Sequence, residues 1–105
     1  MNYSYVDKAD LDKVKVYADD KDVSNKLIQL GFKKIDKNQF EINASNNLEK
    51  ANIFEKLRAI GVLFSDGKEW CPSEVFEHLR DLGLINGKFK RISWKGGKDT
   101  NIQEI

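Results

Sequence analysis

Ile53 to Val62 reads IFEKLRAIGV and Val75 to Leu84 reads VFEHLRDLGL, so five of ten positions are identical and most of the others keep their chemical type. A fainter third copy, VSNKLIQLGF from Val23 to Phe32, keeps the apolar positions and the glycine but lacks the Phe, Glu and Arg. A chain with such a repeat uses one local unit several times: an amphipathic helix, stopped by a glycine in left-handed conformation, with an apolar residue just beyond it. Helical spacing gives the buried stripes as Val23, Leu27, Ile28 and Leu30 in the first copy, Ile53, Phe54, Leu57 and Ile60 in the second, and Val75, Phe76, Leu79 and Leu82 in the third.

Between the helices the period changes. Tyr3 and Tyr5, then Val14 and Val16 with Lys13 and Lys15 opposed, alternate as strands do and predict a hairpin. Asp20 or Asp22 is placed to cap the first helix, and Asp36, Lys37 and Asn38 form a turn between two strands, Phe32 to Ile35 and Gln39 to Ile42. Asp66-Gly67 and Asn86-Gly87 are hairpin signals, because both turn residues accept positive φ; they predict a return strand ending at Trp70 and a strand from Lys88 to Trp94. Pro72 suits the first helical position of the third helix, and Glu74 is spaced to reach back to its cap.

Each amphipathic helix needs a sheet face to cover. The expected fold is therefore a single small α+β domain, repeated helix-Gly-β-hairpin units with the helices packed on a mainly antiparallel sheet. The domain spans residues 1–95. From Gly96 the composition turns polar, with only Ile102 and Ile105 apolar, and a flexible C-terminal tail is expected over residues 96–105.

The 18 basic and 17 acidic residues nearly cancel, so bulk charge favours neither polyanion binding nor mimicry of a nucleic acid. Cys71 is the one cysteine, which excludes an internal disulfide and a multi-cysteine metal site and fits a reducing compartment. No basic leader with an apolar run opens the chain and no apolar stretch reaches membrane-spanning length, so a cytoplasmic protein without a membrane partner is expected.

Residues with chemical potential are few. Cys71, Glu74 and His78 share one side of a helix, but Cys71 and His78 stand about 10 Å apart along its axis, too far to bind one ion or to exchange a proton. No metal and no cofactor is expected. One His, one Cys and no glycine loop ahead of a helix leave no nucleophile-and-base set, so the chain reads as a non-enzyme. Gly96, Gly97 and Lys98 lack the spacing of a phosphate loop. Leu79, Leu82, Gly83, Leu84 and Ile85 resemble the recognition helix and wing of winged-helix DNA-binding proteins, but the required second helix is not three or four residues upstream.

Two surface sets are left. Glu55 with Arg58, and Glu77 with Arg80, recur at matched repeat positions and read first as helix-surface ion pairs. Lys88, Lys90, Arg91, Lys95 and Lys98 form the one local excess of charge, interleaved with Phe89 and Trp94, a mix suited to single-stranded nucleic acid or to an acidic protein surface. The leading expectation is a non-catalytic binding module that occupies a surface of a macromolecular partner, a protein or protein–nucleic acid complex, in the manner of a small inhibitor, immunity or anti-defence protein. Trp70, Arg80, Arg91 and Trp94 are its expected anchors, being the residue types that dominate interfaces. The alternative is nucleic-acid binding through the basic C-terminal strand and tail.

Overall fold

A computed structural model of the chain describes residues 4–9, 12–66, 70–95 and 99–105, with backbone alone for residues 94, 95 and 99. Along them run β1 (Tyr5–Lys8), β2 (Lys13–Tyr17), α1 (Lys21–Gln29), β3 (Lys33–Asp36), β4 (Gln39–Asn43), α2 (Asn47–Ala59), β5 (Leu63–Ser65), α3 (Pro72–Asp81), β6 (Lys90–Lys95) and β7 (Asp99–Glu104).

Polar side chains start the first two helices by satisfying amides that have no partner within the helix. The Asp20 carboxylate accepts from the amides of Asp22 and Val23 at 2.8 and 3.3 Å, and Asn46 accepts from the amide of Glu49 at 2.9 Å. Glu49 in turn accepts from the Ser45 amide at 3.0 Å, a reciprocal pairing akin to a capping box. α3 begins differently: Cys71 supplies no side-chain cap, and Pro72, with no N–H to satisfy, occupies the first turn. The cap contact expected of Glu74 is not formed; its side chain is exposed.

These three helices end in the same motif. Gly31, Gly61 and Gly83 have φ of +104°, +88° and +72°, as the repeat predicts. Each glycine amide reaches back to the carbonyl three residues earlier, Ile28, Arg58 or Arg80, at 2.9–3.1 Å. The next amide, of Phe32, Val62 or Leu84, reaches the carbonyl of Leu27, Leu57 or Leu79 at 2.9–3.0 Å. This double bond pattern is the Schellman motif, and the leucines and the residues just past the glycines close it with an apolar contact.

The described strands form one seven-stranded sheet in the order β3-β4-β2-β1-β5-β6-β7. The pairings β1·β2, β2·β4, β3·β4 and β6·β7 are antiparallel, whereas β1·β5 and β5·β6 are parallel. Each helix therefore links two strands that point the same way. Right-handed crossovers put all three helices on one face of the sheet. Burial agrees: Val6, Val14, Val16, Phe40 and Phe64 lie in one apolar cluster with Leu27, Phe54, Leu57, Phe76 and Leu79, while their strand neighbours Tyr5, Lys13, Lys15, Tyr17 and Glu41 are half-buried or exposed on the opposite face.

Three expectations from the sequence are corrected. The return strand expected after Asp66-Gly67 has no free edge of β5 to pair with, because β1 and β6 take both; residues 67–69 themselves lie outside the described residues. Asn86-Gly87 makes a turn, with Gly87 at φ +81°, but Leu84 and Ile85 are not in a strand, so it joins α3 to β6 rather than closing a hairpin. The helix-Gly-hairpin unit is thus complete only in the first copy, where α1, Gly31, β3 and β4 succeed one another. Finally, the span read as a tail contains β7, paired with β6 from Lys90↔Glu104 to Lys95↔Asp99. A polar edge strand needs only the backbone of its neighbour, so its sequence carries little apolar signal. Residues 96–98 of that tail lie outside the described residues.

Gly61→Val tests the shared helix stop. A Cβ there would meet nothing within 4 Å, so the cost is that of the backbone conformation alone. The substitution is expected to destabilise the fold by more than ~1 kcal/mol in urea denaturation, and an unchanged midpoint would contradict it.

Candidate functional site

The two full repeats place an arginine at the same point of the last helical turn, and both arginines grip the same loop. Arg58 donates from Nη1 to the carbonyls of Asn86 at 2.8 Å and Lys88 at 3.3 Å, while its guanidinium lies 4.3 Å from the centre of the Phe89 ring. Arg80 donates to the Gly87 carbonyl from Nε at 3.2 Å and Nη2 at 2.9 Å, and Nη2 also reaches the Ile105 carbonyl at 2.6 Å. Glu55 pairs with Arg58 at 3.7 Å and accepts from the Asn86 amide at 3.5 Å. The expected Glu55–Arg58 helix pair exists, yet its larger role is to hold residues 86–88 ahead of β6.

Arg80, one of the anchors expected at a partner interface, is half-buried and committed to these carbonyls. Arg91 is engaged as well: it sits beside Phe64 in register, donates to Ser73 Oγ at 3.4 Å and to Gln103 Oε1, and lies 3.8 Å from the Asp66 carboxylate. Trp70 is only 5% exposed and packs against Phe54 at 6.3 Å between ring centres, so in this conformation it is a core residue. Trp94 lies in β6 opposite Thr100, and its side chain is outside what the structure describes.

The described members of the basic set are dispersed by the same strand geometry. Lys88 is exposed on the gripped loop and Lys90 is exposed at the start of β6, opposite Glu104. Arg91 points to the other face and is met by Asp66. The Lys95 side chain and all of Lys98 fall outside the described residues. Of the five, only Lys88 and Lys90 are seen as exposed cations. Cys71 is half-buried at the start of α3, while Glu74 and His78 are exposed along it; among the described residues no three His, Cys, Asp or Glu side chains converge on a metal-sized site.

What sequence periodicity could not show is the sheet face left without helices. At its centre Tyr5 of β1 and Tyr17 of β2 are partners across the ladder, and their rings stack at 5.2 Å with 24° between planes. Leu63 pairs with Tyr5 on the next strand, and Ile102 of β7 is 42% exposed. Around them the charges alternate: Lys13 pairs with Glu41 at 3.5 Å, Lys33 also stands opposite Glu41, and Lys90 stands opposite Glu104. Lys15 is the register partner of Glu41 as well, so the face is amphipathic, with acids interleaved among its lysines. At one end, where β1, β5 and β6 begin, a cleft of about 290 Å³ opens between Ser4, Val23, Leu63, Lys90 and Ile102, with Asp20 on its wall. A second hollow of about 150 Å³ joins it across Gly61, Leu63 and Lys90, with Arg58 and Val62 beyond.

Burial pushes the Tyr5 phenol above its ordinary pKa of 10.0, and the nearby carboxylate of Asp7, the phenol of Tyr17 and the carboxylate of Asp19 push it the same way. Tyr5 therefore stays neutral as a hydrogen-bonding and stacking group. Comparison with protein-family models, with curated proteins and with solved structures finds no match for this chain. Among the described residues no helix is long and apolar enough to cross a membrane.

Three outcomes are expected from this geometry. Arg58→Ala and Arg80→Ala should each cost about 1–3 kcal/mol and speed amide exchange at Lys88 and Phe89, because carbonyls bonded to a cation lose their partner. Glu77→Ala, on the exposed side of α3, should change stability by less than about 0.5 kcal/mol. For Tyr5, the folded pKa is raised, so its contribution to stability is intact below the unfolded value of about 10 and is lost as pH rises through the folded one. A spectrophotometric titration should contain a phenol component above the ordinary value that Tyr5→Phe removes.

Proposed function

We propose that the protein is a non-catalytic binding module that acts by occupying a surface of a protein partner, as a small inhibitor, immunity or anti-defence protein does. The contact surface is the sheet face opposite the helices. One observation carries this reading: the stacked pair Tyr5 and Tyr17 lies at the centre of a face on which acids are interleaved with the lysines. Aromatic groups that are rigid and partly apolar contribute heavily to protein interfaces at small cost in side-chain entropy. A polyanion, by contrast, requires a run of cations without interleaved acids. On this face Lys13 is answered by Glu41 and Lys90 faces Glu104.

The second reading, nucleic-acid binding, is favoured by the exposure of Lys88 and Lys90 beside the C-terminal strands. It draws on a cation set whose described members, Lys88, Lys90 and Arg91, lie on a loop and on two opposite faces.

Capture from nuclease-treated extract, followed by reconstitution with the captured protein, separates the two. Tyr17→Ala is expected to weaken that complex by about 2 kcal/mol or more if the stack is an interface centre, while neutralising Lys88 changes it little. Titration of single- and double-stranded DNA and RNA at two salt concentrations is the counter-test. Micromolar binding that loses about one unit of salt slope for each neutralised lysine would replace this reading with the nucleic-acid one.

A further inference from the structure

The cleft at the amino ends of β1, β5 and β6 contains one uncommitted charge among the described residues. Asp20 lines it, but its carboxylate holds the first amides of α1 at 2.8 and 3.3 Å. Arg58 borders the adjoining hollow, but its guanidinium is bound to the Asn86 and Lys88 carbonyls and paired with Glu55. Lys90 lines both hollows, is exposed, and forms no ion pair among the described residues, Glu104 standing opposite it in register without closing one. The rest of the wall is largely apolar: Val23, Leu63 and Ile102 on one side and Val62 on the other.

We propose that this groove receives an extended segment of the partner protein in which a carboxylate side chain neighbours an apolar one. The Lys90 ammonium pairs with the carboxylate, and Leu63, Val23 and Ile102 take the apolar group. The inference rests on the protein-binding reading and adds the chemistry of the segment recognised. Size supports a peptide over a free small molecule. At about 290 Å³ the cleft is at or below the lower end of the range of roughly 300–1,000 Å³ typical of ligand pockets, so it accommodates one or two side chains. Position supports it too. Leu63 is the register partner of Tyr5, so a chain leaving the groove continues onto the tyrosine stack, where further contacts supply affinity. Lys90, the groove's cation without an ion pair among the described residues, selects an acidic segment over a basic one by charge complementarity.

The test uses the full, isotope-labelled chain and two blocked five-residue peptides that alternate leucine with glutamate or leucine with lysine. Amide resonances of Leu63, Lys90 and Ile102 should shift with the acidic peptide and far less with the basic one. Lys90→Glu, whose spectrum reports directly on folding, should weaken the acidic peptide by about fivefold or more and reverse the preference, as expected when a partly exposed ion pair of about 1 kcal/mol is turned into a repulsion. Ile102→Ser, at the edge of the sheet, should weaken both peptides. Equal affinity for the two peptides, shifts confined to another surface, or an unchanged preference in Lys90→Glu would overturn the proposal. If that happens while Tyr17→Ala still impairs the captured complex, only the groove assignment falls and the protein-binding reading stands.

Discussion

Four phenylalanine rings, three from successive elements and one from the loop before β6, hold the middle of this molecule together. Phe54 of α2, Phe64 of β5, Phe76 of α3 and Phe89 just before β6 meet edge to face or stacked, with ring centres 4.3–5.7 Å apart. All four are fully buried. Edge-to-face contacts align the positive rim of one ring with the negative face of the next, so they specify orientation as well as burial. The cluster sets how α2 and α3 lie on the parallel trio β1, β5 and β6. Phe89 stacks on Phe76 at 4.3 Å and lies 4.3 Å from the Arg58 guanidinium. The loop that delivers Phe89 is the one that Arg58 and Arg80 hold from two helices. Core packing and the arginine grip are therefore one device, and the start of β6, with Lys90 on it, is placed by both.

The internal repeat has a physical meaning narrower than an architectural unit. Its matching positions are those a helix needs to bury one face and to stop: Phe54 and Phe76, Leu57 and Leu79, Gly61 and Gly83. The matched arginines stand at the turn where a long cationic side chain can reach carbonyls beyond the helix end. Past the glycines the two copies diverge. Val62 leads directly into β5, whereas Leu84 begins an irregular stretch before β6. A left-handed glycine terminates a helix, and it leaves the next element to whatever sheet edge is available.

Tertiary packing likewise redistributes the residues suited to binding. Trp70, Arg80 and Arg91 are residue types that anchor interfaces, but here they pack against Phe54, hold the 86–88 loop, and bridge Ser73, Asp66 and Gln103. The face proposed for binding owes its character to crossover handedness. With every helix linking parallel strands in the same sense of rotation, one side of the sheet carries the core and the other carries Tyr5, Tyr17, Leu63 and Lys90.

Local information determined the helices, their stops and the first hairpin. Periodicity and glycine position act over a few residues, so Leu27, Phe54 and Phe76 could be assigned to the core, alternation pointed to the β1–β2 hairpin, and Asp36, Lys37 and Asn38 marked the β3–β4 turn. The tertiary structure alone decided the parallel partners of β5, the strand at Asp99–Glu104 and the composition of the open face. Parallel pairing is set by the path of a crossover helix, and an edge strand is specified by its neighbour's backbone; neither leaves a period in the chain. Tyr5 and Tyr17 are visible in the sequence only as alternating residues in separate strands. That they stack, and that no helix covers them, comes from how distant segments were brought together.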